Sequence, residues 1–173
     1  MKNCLKLSAC VLVTAAYLAG LWLFPESFVT FLLGVPICIG LAALFHELGH
    51  LLAYRLLKLE WKRLNISCFV LEPGSGLRFD PDRRFFSASC VCAYKPDVPY
   101  WRYRLALLSG GLAMLVISMG CFAAFFFAVG GFASFLLCFG ILSAANGLFN
   151  LLLPFSADRV LLKKIKQERE HTA

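Results

Sequence analysis

Charge is scarce in this sequence. Asp, Glu, Lys and Arg supply 16% of its 173 residues, where soluble domains usually carry ~25%. Apolar residues make up 60%, against the ~45–50% common in globular chains. A soluble fold has nowhere to bury that much apolar surface, so the excess points to lipid. Internal repeats and low-complexity tracts are also missing. The length suits one domain over 1–173 and not comfortably two.

What the chain has instead is long apolar runs. A span needs roughly 20 apolar residues, because the hydrocarbon core is ~30 Å thick and a helix rises ~1.5 Å per residue. Four runs qualify, at about 5–24, 28–57, 105–129 and 132–153. The expected fold class is therefore an all-α multi-pass membrane protein with about four transmembrane helices. Gly130 and Gly131 separate the last two runs into a tight helical hairpin. Cleavage of the first run as a signal peptide at Ala19 would put Tyr17 where a small residue belongs. A lipoprotein box at Leu7-Ser8-Ala9-Cys10 fails because the apolar run follows Cys10. The first helix is read as retained.

Cations are absent from the short connections Pro25–Ser27 and Gly130–Gly131. They collect before the first run (Lys2, Lys6), in and beside the loop 58–104, and after the fourth run. By the positive-inside rule both termini and the middle loop are cytosolic, in a multi-pass protein of the cell membrane. That placement accounts for the net charge of +7 through topology and attraction to lipid headgroups, and no nucleic-acid partner is expected. Eight cysteines are present. Most fall in spans or on the reducing cytosolic side. Cys90-Val-Cys92 lacks zinc-knuckle spacing and a second pair. The cysteines read as small apolar residues.

The loop 58–104 changes character. Leu64, Ile66, Cys68 and Val70 alternate as in a strand, Glu72-Pro73-Gly74-Ser75-Gly76 is a turn signal, and the extended pattern resumes at Leu77–Phe79. Phe85 to Tyr94 reads as another strand. A β-hairpin-like insertion of two or three strands on the cytosolic face is expected. The tail 159–173 reads as charged and solvated.

The second run carries His46-Glu47-Leu48-Gly49-His50, an HExxH pattern. Residues four apart share a helix face, so both imidazoles reach one metal ion. Zinc favours nitrogen donors in tetrahedral geometry and keeps one position open for water at catalytic sites. Glu47 then suits a general base that later protonates the leaving amine. Ionisable groups inside a span cost roughly 2.5–3.5 kcal/mol each on insertion scales, and three within five residues point to function. A helix running from Phe28 places His46 ~27 Å along its axis, near the cytosolic interface. A break at Gly34-Val35-Pro36 would place it near mid-membrane.

A third ligand must come from elsewhere. Glu60, Glu72, Asp80, Asp82, Asp97, Asp158, Glu168 and Glu170 lie toward the cytosolic side. Asp158 is favoured: it follows the fourth run, and Pro154 breaks the helix just before it. Asn150, costly in lipid, stands nearby.

These residues resemble the site-2 protease family of intramembrane zinc metalloproteases. In that family an HExxH helix is paired with a later helix bearing an Asn, a Pro and a metal-binding Asp. The resemblance covers about residues 37–160. It implies a single Zn2+ held by His46, His50 and Asp158, with Glu47 catalytic and Asn150, Gly110 and Gly111 as substrate-binding or site-supporting residues. Ser109-Gly110-Gly111 stands where the family has a small-residue motif, and close helix packing is the role expected of Gly110 and Gly111. Gly111 and Met114 replace the family's Pro and Asn, Pro154 lies one residue further from Asn150 than usual, and Arg159 replaces a Gly. The implied activity is hydrolysis of a peptide bond in or beside the bilayer. The substrate is a membrane peptide or transmembrane segment, held by an edge strand within 64–79. The chain has no room for a PDZ module, so a short peptide precursor fits its size. The alternative is a non-catalytic membrane protein, an immunity or assembly partner, with a vestigial zinc site.

Overall fold

The computed structural model describes residues 11, 12, 14–20, 23, 28–66, 69–80 and 88–172. Helix α1 spans Phe28–Leu56, and four strands follow: β1 (Trp61–Ile66), β2 (Phe69–Glu72), β3 (Gly76–Phe79) and β4 (Ala88–Cys92). Three helices complete the chain: α2 (Tyr100–Phe125), α3 (Gly130–Leu152) and α4 (Ala157–Thr172). Three stretches contain helices long and apolar enough to cross a membrane: Leu32–Leu56, Tyr100–Phe125 and Gly130–Glu170. The first expected span lies partly outside the described residues. Residues 14–20 within it are helical, and buried Tyr17 stacks its ring over Gly34, where a Cβ would come within 2.8 Å of it.

Helix α1 runs through Pro36 without a break, so a restart at Ile37 is ruled out and His46 lies ~27 Å from the helix start. Its C-terminus is closed by Lys58 in the left-handed conformation, φ 54°. The Leu59 N–H then reaches back to the Tyr54 carbonyl at 2.8 Å, the wide loop of a Schellman cap. Cys38, Ala42, His46, His50 and Tyr54 are all buried. Spaced by four, they form one ridge along the inner face of α1.

That ridge meets α2 and α3 through small residues. Ser109 Oγ donates to the Gly49 carbonyl at 3.1 Å, and Ser118 Oγ donates to the Gly140 carbonyl at 2.8 Å. A Cβ on Gly147 would sit 2.8 Å from the Gly111 carbonyl oxygen, so the expectation of close packing at Gly111 is met by α3. The opposite faces are apolar and open: Val116 and Met119 are 69% and 71% exposed.

The insertion is larger than a hairpin of two or three strands. It is an antiparallel sheet of four, ordered β3-β2-β1-β4, so the chain is mostly helical rather than all-α. Leu64 pairs with Leu71 on one side and Cys90 on the other. The sheet packs beneath the helices around Tyr54, Leu59, Leu64, Cys90 and Tyr103. β4 falls inside the stretch Phe85 to Tyr94 read as a strand, and the extra strand arises because the alternating run Leu64–Val70, read as one strand, is divided between β1 and β2.

Helix α3 ends at Leu152. Leu153 is extended, φ −82° and ψ 127°, as the residue before a proline must be. The Ser156 carbonyl accepts the Val160 N–H at 3.0 Å and starts α4. This helix is not merely a solvated tail, since Leu162 and Ile165 are buried against the cluster around Tyr103.

Candidate metal centre

His46 and His50 occupy adjacent turns of the buried ridge of α1, so their rings are forced together, with centroids 4.7 Å apart and planes at 88°. Their Nε2 atoms lie 3.1 Å from each other. The break at Pro154 delivers Asp158, in the first turn of α4, onto the same point. Its Oδ2 is 3.2 Å from His46 Nε2 and its Oδ1 is 3.3 Å from His50 Nε2. Among the described residues these three form a group that could hold a metal ion.

The spacing fits a metal. Tetrahedral bonds of ~2.0–2.1 Å to nitrogen and oxygen put neighbouring donor atoms roughly 3.3 Å apart. The observed separations, 3.1 Å between the imidazoles and 3.2 and 3.3 Å from them to the two Asp158 oxygens, lie at or just below that edge. The chemistry of the donors fits as well. His50 Nδ1 donates to the Ala106 carbonyl at 2.8 Å, which leaves the Nε2 lone pair turned to the shared point, as in most metal-binding histidines. His46 Nδ1 is buried without a partner, so no neighbour selects its tautomer. Two imidazoles and one carboxylate leave a fourth tetrahedral position open.

Gly110 lies directly against the pair. A Cβ there would come within 2.5 Å of His50 Nε2 and 2.8 Å of His46 Cε1. Glycine at this position leaves the space that the imidazoles fill. Gly111 does not share that role. It faces Leu151 and Gly147 on α3.

Glu47 is half-buried and held from the sheet. Its Oε2 accepts the Cys90 backbone N–H at 2.6 Å. Strand β4 thus positions the carboxylate beside the histidines. The Cys90 thiol is pushed up to about 12 by burial, then by the Glu47 charge, so it stays protonated and inert. Asn150 is not among the converging groups. Its Nδ2 donates to Asn146 Oδ1 at 2.6 Å, and its carbonyl receives Ser156 Oγ–H at 3.2 Å. It braces the turn that carries Asp158. Of the other carboxylates weighed, Glu60 pairs with Lys95 and Glu72 with Arg78, each at 2.6 Å, on the exposed side of the loop.

Within the segment 64–79, expected to offer an edge strand, β3 does lie at one edge of the sheet, away from Glu47. β1 and β2 are interior to the sheet, and β3 contacts only β2. The outer strand next to Glu47 is β4. Sequence reasoning missed the Ala106 carbonyl and the Cys90 N–H because backbone groups leave no mark on residue type. Gly110 did carry a signal, in the Ser-Gly-Gly stretch. No protein family, curated protein or solved structure matches the chain.

Proposed function

We propose that this chain is a zinc-dependent intramembrane endopeptidase of site-2 protease type, with His46, His50 and Asp158 as ligands and Glu47 as general base. The observation that carries the reading is the convergence of three potential ligands, their donor atoms all within 4.8 Å of one another, beside a carboxylate anchored by the sheet. Three apolar helices with exposed apolar faces support insertion in the cell membrane. The cation distribution supports cytosolic termini, with the sheet on the cytosolic side.

Bound zinc supplies Lewis acidity toward the scissile carbonyl and makes water acidic enough to deprotonate near neutral pH. The chain does the rest. Glu47 takes the proton from the attacking water and returns it to the leaving amine nitrogen. The Cys90 N–H fixes one oxygen of that carboxylate and leaves the other for the proton. His50 is locked by Ala106, and Gly110 keeps the face of the pair clear. Among the described residues no further strand pairs with β4 beyond β1, and an extended peptide would add a strand there, beside the Cys90 N–H that Glu47 holds. The substrate class is a transmembrane segment or membrane-bound peptide unwound near the cytosolic interface.

The test is reconstitution in liposomes with single-span peptides, reading fragments by mass spectrometry. Glu47→Gln is expected to retain zinc and lose cleavage by about 10²–10⁴-fold. Cleavage at the wild-type rate in that variant would sink the reading and favour a vestigial site.

A further inference from the structure

A second site stands apart from the histidines, where the end of α3, the start of α2 and the first turns of α4 meet. They enclose a pocket of about 280 Å³. Its polar wall is Arg159, Lys163 and Lys166, with Tyr100 across from them. Its apolar wall includes Leu152 and Leu162. Three cations on one small pocket, in a protein with so few charges, ask for an anion.

Arg159 makes the request specific. One Nη donates to the Leu151 carbonyl, which holds the guanidinium in place. Its Nε–H is buried and has no partner, and a buried donor left unmade costs about 1–3 kcal/mol. Lys166 keeps only a loose pair with Glu170, at 3.8 Å with both side chains well exposed. Lys163 has no ion pair among the described residues. Positive charge is therefore in surplus at the pocket.

Its position says which anion. The pocket opens where α3, one of the three apolar helices, ends. Trp101, exposed, and Tyr100 begin α2 at the same level, and such aromatics gather at headgroup depth. Leu152, on the pocket wall, is 70% exposed, and Phe155, next in sequence to the lining Pro154, is 65% exposed, a surface that suits acyl chains. We propose that this pocket binds the phosphate of an anionic phospholipid headgroup, with Arg159, Lys163 and Lys166 as its partners and the acyl chains along Leu152 and Phe155. The assignment does not depend on the metal site or on catalysis.

The experiment is native mass spectrometry of the full chain in detergent, titrated with phosphatidylglycerol, phosphatidylcholine or inorganic phosphate. Phosphatidylglycerol is expected to remain as a one-to-one adduct, bound at least tenfold more tightly than phosphatidylcholine. Replacing both Lys163 and Lys166 by Gln should weaken it about tenfold or more while circular dichroism stays unchanged. A control removes equal charge elsewhere, with Lys58→Gln and Lys164→Gln, and should leave the adduct intact. Both lysines of the test pair are exposed, so folding is preserved even where Arg159→Gln destabilises the chain. Equal binding of the two lipids, or equal loss in test and control variants, would overturn the proposal. An inorganic phosphate adduct of the same occupancy would overturn the lipid assignment in favour of free phosphate.

Discussion

Gly110 is the residue on which the centre depends most tightly without taking part in its chemistry. A methyl group there would meet His50 Nε2 at 2.5 Å, and helix backbone cannot retreat while Ser109 is bonded to Gly49. Gly110→Ala is expected to lower zinc affinity by at least about tenfold, in the range of lost support around a metal ligand, with helical content unchanged by circular dichroism. Competition against a zinc chelator measures it. Cys90 gives a prediction of the opposite kind. With its pKa raised to about 12, roughly one thiol in ten thousand is ionised at pH 8. Raising the pH toward 10 increases that fraction but leaves it small. Iodoacetamide should therefore leave Cys90 unmodified at pH 8 until the protein is unfolded, as mass spectrometry of digests will show. Rapid labelling of the folded protein would contradict the buried placement. At this scale the histidines and Glu47 were plain in the sequence, because spacing by four on a helix is a geometric statement. The hydrogen bonds that orient them were not, since they come from backbone atoms of Ala106 and Cys90.

The centre is a meeting of elements as much as of residues. An unbroken α1 presents the two imidazoles on one ridge, and the interruption between α3 and α4 brings a carboxylate onto them. Pro154 made that interruption legible in sequence, because the residue before a proline avoids helical geometry. The sequence therefore sets Asp158 apart from the other acidic residues. Its expected consequence is direct. Asp158→Ala should lose zinc on dialysis against chelator, whereas Glu72→Ala, which breaks only the exposed pair with Arg78, should hold metal like the wild type. Elemental analysis of the two variants decides between them. The sheet was less legible. The turn at Glu72–Gly76 and the stretch Phe85–Tyr94 marked the β2–β3 turn and β4, but alternation over Leu64–Val70 read as one strand where the structure has β1 and β2. The pairing of β4 with β1 is long-range, and it is β4 that touches Glu47. The amphipathic docking of α4 was likewise hidden, because a run dense in Lys and Glu reads as solvated even when Leu162 and Ile165 turn inward.

For the whole molecule, two buried clusters share α1 as a common wall. One lies within the helices around Cys38, Ala42, Met114 and Phe139, the other beneath the sheet around Tyr54 and Tyr103. The pair His46 and His50 sits on the ridge between them, so the candidate metal centre joins the apolar bundle to the sheet. Composition made the apolar bundle legible, and the scarcity of charge made each remaining ionisable group informative. The central claim is that zinc sits among His46, His50 and Asp158, and X-ray absorption spectroscopy of the purified full chain tests it most directly. The expected result is one zinc per chain with only nitrogen and oxygen donors at ~2.0–2.2 Å, two of them imidazoles. A shell containing sulfur at ~2.3 Å, or a chain purified under zinc-replete conditions that retains none, would contradict it.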